Sequence, residues 1–348
     1  MEKVLEPQVA VEPVTETPFR VQWYRTPLPR ETLAKLNAKS DFKGFLQAGG
    51  HFGLVCCTAV LVLYGAYHWP WWTVPFLLLL HGTVASFCIN GVHELVHKSV
   101  FKTQWLNQLF LRLFGFVGWI HFEHFYNSHV RHHQFTLHPP EDLEVVLPFR
   151  IVMTHFFKYG FVNPKNPVYT IKNCVRLARG QFQGEWELRI FPENAPEKRK
   201  PITGWARTLL VSHGLLFVVC MCEHWFLVPL VVSFSGAYGG WLFFLCNNTQ
   251  HVGLQDNVND FRLCTRSFSV NPIVEFLYWH MNYHIEHHMY AAVPCYNLKQ
   301  LHQAIEHDLP PTPNGLWAVW QQIIPILKAQ KFDPKYQYKV DLPGEYAI

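Results

Sequence analysis

Histidine side chains in three short clusters are the residues of this sequence best suited to chemistry. The second and third clusters share the pattern HxxHH, which puts three imidazoles on one face of a helix. Neutral imidazole is a common metal ligand. Because one ion accepts about four to six ligands, nine imidazoles predict two metal ions. The three clusters supply eight of the nine proposed ligands, His93, His97, His129, His132, His133, His284, His287 and His288, and His251 is the ninth.

The first cluster, from His93 to His97, also matches the zinc-peptidase motif HExxH. In that motif two histidines bind zinc, and the glutamate, here Glu94, acts as general base on a bound water. An intramembrane zinc metallopeptidase is therefore a distant alternative. Such a site needs one more ligand and not seven further histidines, and the sequence has no Leu-Asp-Gly segment in a later apolar stretch.

The composition indicates a membrane protein and argues against a nucleic-acid-binding one. Of 348 residues, 49% are hydrophobic and 16% are charged, against about 25% charged in a typical soluble domain. The net charge of +4 is small, and no basic stripe with interleaved aromatic residues occurs. The nine cysteines form no CxxC pair and mostly lie in apolar stretches, which predicts a reducing compartment without a disulfide framework.

Four apolar stretches are long enough to cross a bilayer, which takes about 20 residues. We predict an all-α membrane protein with four transmembrane helices in two hairpins and a cytosolic, histidine-rich cap. A pair of buried helices in a large soluble protein is the alternative for the first hairpin. The predicted spans are about 49–67, 71–90, 205–223 and 225–246.

The distribution of basic residues predicts the orientation. No Lys or Arg occurs from Gly49 to His97 or from Thr208 to Phe261, so two hairpins would leave all 29 basic residues on one side. The positive-inside rule makes that side cytosolic. Every histidine cluster lies on it, in a cap formed by residues 91–204 and 247–348. A histidine-rich metal transporter or store would instead have ligands midway along its spans.

The remaining segments are expected to be peripheral. Residues 1–30 are rich in Glu, Pro and Val and predict a disordered arm, which leaves 31–348 as a single domain. Residues 31–47 could form an amphipathic helix at a membrane surface, and residues 104–122 predict a helix along the bilayer surface.

Taken in order, the boxes HELVH, HVRHH and HIEHH around two apolar hairpins resemble the membrane fatty-acid desaturase and hydroxylase family, over roughly residues 50–305. The resemblance implies two iron ions, held by the histidines of the boxes, that use dioxygen to oxidise aliphatic C–H bonds. His251, in the segment Asn-Asn-Thr-Gln-His, matches a further ligand of the family. Asn247, one turn earlier, matches an asparagine that can hold a metal-bound water.

Some details of the motifs resemble enzymes that desaturate, and others resemble enzymes that hydroxylate. The third box, continued by Pro294 and Leu298, is similar to acyl desaturases, whereas HELVHK at 93–98 and QHVGL at 250–254 resemble alkane hydroxylases. We expect desaturation of a fatty-acyl or lipid chain, with hydroxylation as the alternative. No haem-binding His-Pro-Gly-Gly segment is present, which implies a separate electron donor such as a cytochrome b5-type protein or a ferredoxin. The expected location is the endoplasmic reticulum in a eukaryote or the inner membrane in a bacterium.

Ligating imidazoles need hydrogen-bond acceptors for their other ring nitrogen. Carboxylates near the boxes are the predicted acceptors: Glu94, Glu123, Asp142, Glu275 and Glu286. Histidines inside the apolar stretches are expected to join helices and not to bind metal.

Overall fold

The computed structural model describes residues 20–148, 151 and 153–343, and within these ranges the chain is helical with no β-strand. Residues 1–19, most of the predicted disordered arm, lie outside the described residues. We number the helices in chain order and count consecutive segments of the two longest N-terminal helices together. They are α1 (Arg30–Leu36), α2 (Asp41–His68), α3 (Trp71–Val96), α4 (Gln104–Val117), α5 (Phe122–Phe135), α6 (Met153–Tyr159), α7 (Lys165–Ala178), α8 (Gly184–Ile190), α9 (Pro196–Cys222), α10 (Val228–Ser233), α11 (Trp241–Asn247), α12 (Phe261–Cys264), α13 (Pro272–Leu277), α14 (His284–Met289), α15 (Leu298–Ile305) and α16 (Leu316–Phe332).

Among the described residues, three helices, α2, α3 and α9, are long and apolar enough to cross a membrane. They contain 28, 26 and 27 residues, which exceeds the roughly 20 that a bilayer requires. No more than a third of each apolar stretch is buried, and large side chains such as Val60, Phe76 and Val211 are exposed. Exposed apolar surface of this extent is typical of contact with lipid. The first three predicted spans are therefore confirmed as apolar helices of sufficient length.

Buried histidines join the long helices to their neighbours. His51 of α2 contacts the Val84 carbonyl of α3 through Nε2 at 3.0 Å, and its Nδ1 accepts from Trp279 Nε1 at 2.8 Å. His81 of α3 contacts the Val231 carbonyl of α10 at 2.9 Å. Because these partners of His51 and His81 lie in other segments of the chain, the two side chains fix how the long helices pack.

The fourth predicted span, 225–246, is not one continuous helix. A 3₁₀ turn over Ser235–Ala237 and a bend separate α10 from α11. Gly239 in the bend has a φ of +75°, and a Cβ there would lie 2.4 Å from the carbonyl carbon of Gly82 in α3. Glycine alone tolerates both this φ and this close backbone contact without strain. Packing against α3 thus interrupts a stretch that hydropathy predicts as continuous.

Segments of the predicted cap pack against α2 and α3. This cap shares a hydrophobic core with α2 and α3 that includes the fully buried rings of Phe87, Phe114 and Trp279. The rings of Phe114 and Trp279 meet edge to face, with centroids 5.5 Å apart. A continuous core fixes the cap relative to the end of α3, where the first histidine cluster lies.

Residues 20–29 run across the cap before α1 begins. The Tyr24 amide donates to the Asn259 carbonyl at 2.9 Å. The hydroxyls of Tyr24 and Thr26 both donate to the Asp308 carboxylate, at 2.7 and 2.6 Å. This end of the predicted arm is therefore part of the folded cap.

Candidate metal centre

Four elements carry the predicted ligands. The first cluster lies at the end of α3, with His93 in the last turn and His97 directly after it. The second cluster lies on α5 and the third on α14, where a spacing of i, i+3 and i+4 directs three imidazoles to one side. His251 follows α11 by four residues, and Asn247 is the partly buried last residue of that helix.

The nine imidazoles meet in two adjacent groups. The five-histidine cage has ring nitrogens within 4.8 Å of one another and consists of His93, His97, His129, His133 and His287. The four-histidine cage contains His132, His251 and His288, which also meet within 4.8 Å, and His284. His284 Nε2 lies 3.1 Å from His251 Nε2 and 3.2 Å from His288 Nε2. The cages adjoin where the ring centroids of His133 and His288 are 4.4 Å apart.

Distances between ring nitrogens test whether the cages fit metal ions. His133 Nε2 lies 2.9 Å from His129 Nε2 and 3.1 Å from His287 Nε2. A metal–nitrogen bond of about 2.1 Å puts neighbouring ligand atoms about 3.0–3.4 Å apart. Unprotonated nitrogens at this distance repel one another unless a cation lies between them. The residues therefore fit a metal in each cage.

Carboxylates orient the imidazoles of the five-histidine cage from outside. Glu94 Oε1 lies 2.9 Å from His93 Nδ1 and 3.6 Å from His287 Nδ1. Glu144 Oε1 lies 3.0 Å from His129 Nδ1. An imidazole that donates its Nδ1 proton to a carboxylate keeps the Nε2 lone pair free for a metal.

The four-histidine cage is supported mainly by neutral groups. Its acceptors are one carboxylate, one backbone carbonyl and one hydroxyl: Asp142 at 2.7 Å from His132, Cys264 O at 2.9 Å from His251, and Thr136 at 3.2 Å from His288. The Thr136 hydroxyl donates to the His132 carbonyl at 2.7 Å, so its lone pair is available to the Nδ1 proton of His288. In this cage, too, Nε2 is the nitrogen left for a metal.

Burial keeps most of these imidazoles neutral, the form that binds metal. It lowers the pKa of His251 to about 3, with the charge of His132 acting in the same direction. For His132 itself burial opposes the charged form, but the Asp142 carboxylate overcomes this and raises the pKa. Burial also lowers the pKa well below the usual 6.5 for His129, His133, His284, His287 and His288.

Of the five predicted carboxylate acceptors, Glu94 and Asp142 contact cage imidazoles, whereas Glu286 and Glu275 contact other side chains. Glu286 lies on α14 but binds His302. Glu275 accepts from the Tyr283 hydroxyl at 3.0 Å. Glu123 lies in the first turn of α5. These contacts orient the helices that carry the ligands.

Sequence reasoning missed three groups that orient the ligands. Glu144 stands two residues after Asp142, so the acidic segment 141–144 was the available signal. Thr136 follows His132 by one helical turn, where hydroxyls commonly bond back to a carbonyl. The Cys264 acceptor is a backbone carbonyl, which every residue has, so the residue type could not have indicated it.

A cavity of about 850 Å³ lies outside the cages, between α5, α7 and α8. Ser128 and Glu144 line it and separate it from His129, and Trp186 Nε1 donates to Ser128 Oγ at 2.9 Å. A molecule in this cavity would lie behind the ligands of the five-histidine cage. We therefore do not assign the reacting part of a substrate to it.

Helices of membrane-spanning length and two buried histidine cages define the class, a helical membrane metalloprotein. The profile of the family described as fatty acid desaturase matches residues 22–320. The chain belongs to the fatty acid desaturase family, which confirms the predicted resemblance. It is accordingly a membrane oxidoreductase that acts on fatty-acyl chains. No curated protein matches the chain significantly.

Proposed function

We propose that the protein desaturates a fatty-acyl or lipid chain with two iron ions and dioxygen. The observation that carries this proposal is the convergence of nine imidazoles in two adjoining cages. When bound, iron would supply the dioxygen activation needed to break an unactivated C–H bond. Neutral imidazoles add no negative charge, unlike the carboxylate ligands of soluble diiron helix bundles. Burial of the cages keeps water from the reacting atoms.

Residues of the chain have distinct roles in this proposal. Glu94, Glu144 and Asp142 hold Nδ1 protons and so fix the orientation of the ligands. We assign Asn247 to hold a water at the four-histidine cage, which has one imidazole fewer. Its position one turn before His251 supports this role.

The arrangement of Glu94 argues against the zinc-peptidase alternative. A peptidase general base must face a metal-bound water. Glu94 Oε1 instead lies beside the Nδ1 atoms of His93 and His287, on the outer side of the imidazoles. Five histidines also exceed the three protein ligands that a catalytic zinc takes.

Desaturation and hydroxylation both begin with removal of hydrogen from a CH₂ group. A second removal at the neighbouring carbon gives an alkene, whereas oxygen transfer gives an alcohol. The extension of the third box through Pro294 and Leu298 favours the alkene.

Deuterated acyl chains and ¹⁸O₂ distinguish the two products by mass spectrometry of lipids from expressing cells. Loss of two hydrogens without label is expected. One labelled oxygen and no loss of two hydrogens would make the protein a hydroxylase. Cells expressing His287→Ala provide the background.

Both cages are proposed to face the cytosol, where a cytochrome b5-type protein or ferredoxin would deliver electrons. The one-sided distribution of Lys and Arg supports this orientation. In a cysteine-depleted background, a label at the exposed Trp69→Cys should react only from the lumenal or periplasmic side, and one at the exposed Lys158→Cys only from the cytosolic side. Reaction of Lys158→Cys from the lumenal or periplasmic side would exclude the orientation.

A further inference from the structure

Either proposed oxidation needs electrons from outside the protein. Desaturation balances as R–CH₂–CH₂–R′ + O₂ + 2e⁻ + 2H⁺ → R–CH=CH–R′ + 2H₂O, and hydroxylation also takes two electrons. Seven of the nine cage imidazoles are buried and the other two, His97 and His133, are partly buried; His287 and His288 are at most 2% exposed. A carrier protein therefore has little direct access to them. Electron tunnelling weakens steeply with distance and with gaps between atoms, so a route through contacting side chains is needed.

Trp23 connects the surface to both cages. Its partly exposed ring stacks on Phe261, with centroids 4.0 Å apart and planes 11° apart. Phe261 is fully buried, and its centroid lies 5.3 Å from that of His288 in the four-histidine cage. Trp23 Nε1 also donates to the Gln134 carbonyl at 2.9 Å, and Gln134 directly follows His133 of the five-histidine cage.

The segment that carries Trp23 is fixed by contacts of the residues that follow it, Tyr24 and Thr26. Besides the two hydroxyls that bind Asp308, the Tyr290 hydroxyl donates to the Thr26 carbonyl at 2.5 Å. The Arg262 guanidinium lies over the Tyr24 ring, 4.2 Å from its centroid. These contacts hold the stack of Trp23 on Phe261 in place.

Two exposed arginines, Arg20 and Arg25, flank Trp23 in the chain. The nearby carboxylates of Asp260 and Asp308 both pair with Arg262, so these five groups sum to a positive charge. A basic surface is complementary to an acidic carrier and would steer its approach.

We infer that Trp23 is the point at which electrons enter, and that a small one-electron carrier protein with an acidic face docks over it. The inference rests on the proposed function. It adds the site of docking and the side chain through which each of the two electrons passes.

Anaerobic reduction of the iron-loaded protein tests the inference without requiring turnover. The probes are a reduced [2Fe–2S] ferredoxin and a reduced cytochrome b5 domain, followed by stopped-flow absorbance. Trp23→Leu should slow reduction at saturating carrier and raise the half-saturating concentration by about tenfold or more, as for an aromatic interface residue. Iron content and reduction by dithionite should remain unchanged. An unchanged rate with both carriers, or equal slowing with dithionite, would overturn the inference.

Two further variants separate conduction from packing and docking. Tyr24→Phe removes one hydrogen bond to Asp308 but keeps the Trp23 ring stacked on Phe261, so reduction by the carrier should stay near the wild-type rate. Slowing equal to that of Trp23→Leu would mean that the segment acts only through folding and would overturn the inference.

Arg25→Glu should raise the half-saturating carrier concentration and flatten its salt dependence, with little change in the rate at saturating carrier. No change in either quantity would exclude the docking surface.

The result is distinguishable from a failure of the proposed function. If the wild type makes product with a carrier but Trp23→Leu is reduced normally, the function stands and the inference fails. If the carrier reduces the wild type through Trp23 but no oxidised lipid forms, the inference stands and the function fails.

Discussion

The two cages differ in the hydrogen-bond acceptors that contact the outward ring nitrogens of their imidazoles. In the five-histidine cage, outward nitrogens face the carboxylates of Glu94 and Glu144, and Glu94 lies beside two imidazoles. In the four-histidine cage, Asp142 is accompanied by the Thr136 hydroxyl and a backbone carbonyl. A charged acceptor makes an imidazole a stronger ligand than a neutral one does. The five-histidine cage should therefore hold its ion more tightly.

Ligand number adds to this difference. Four imidazoles leave more of a coordination sphere free than five, and open positions are where non-protein ligands bind. We infer that the two cages differ in role. The five-histidine cage mainly retains its ion, whereas the four-histidine cage mainly binds and releases non-protein ligands. The predictions below test this difference.

Removing one ligand should have the largest effect. His287→Ala and His284→Ala should each abolish turnover and lower the iron content by the ion of the cage concerned only, because most ligands of the other cage are untouched. Elemental analysis of purified protein measures this. His307→Ala, which changes an exposed imidazole, is the matched control. Loss of both ions in either variant would show that the cages are not independent.

Neutralising an outer carboxylate should have the next largest effect. Glu94→Gln should weaken the five-histidine cage, and Asp142→Asn the four-histidine cage, each by about 10–100-fold in metal affinity or activity. Competition with a chelator gives the affinities, and Glu193→Gln at an exposed position is the control. Complete loss of activity in Glu94→Gln with full metal content would favour a general base and hence the peptidase alternative.

Removing a neutral acceptor should have a smaller effect. Thr136→Val keeps the side-chain shape but deletes the acceptor for His288, at a cost of about 1 kcal/mol or roughly fivefold in affinity. Only the four-histidine cage should change in chelator competition. A loss as large as that of Asp142→Asn would mean that charge behind the ligand is unimportant.

Acidification should destabilise the metal-free protein gradually. Burial holds the pKa of imidazoles in both cages, including His133 and His284, below the 6.5 of the unfolded chain. Below about pH 6.5 the unfolded state therefore binds more protons, and stability falls as pH falls. The slope is about 1.4 kcal/mol per pH unit for each proton. Melting temperatures from about pH 7 to about pH 5 test the sign.

His284→Leu removes one such imidazole and should flatten this dependence. A melting temperature that does not change over the range would contradict neutral, buried cages. Equal slopes in His284→Leu and wild type would exclude His284 as a contributor.

Local patterns predicted the grouping of the histidines and the long apolar helices, while long-range contacts escaped prediction. The spacing of the boxes requires only helical periodicity, so it placed the imidazoles of α5 and α14 on single faces. Apolar length likewise predicted α2, α3 and α9. The bend at Gly239 depends on contact with Gly82, and the acceptors Glu144 and Thr136 depend on how the chain turns after α5. Such contacts join residues whose pairing no single-sequence pattern specifies.

The position of Trp23 belongs to the same category. Its segment has the composition of a disordered arm, yet the Asp308 carboxylate and Phe261, more than 230 residues away, fix it. Composition measures only the average tendency of a segment to be ordered or disordered. A few specific hydrogen bonds and one aromatic stack override that tendency here.

Elemental analysis of active protein tests the central claim most directly. Metal content and lipid oxidation should be measured on the same purified sample, since zinc can replace iron during overexpression without supporting turnover. We predict two iron ions per chain, with activity that rises and falls with iron content. Full activity in protein that contains one zinc ion per chain and no iron would contradict the account.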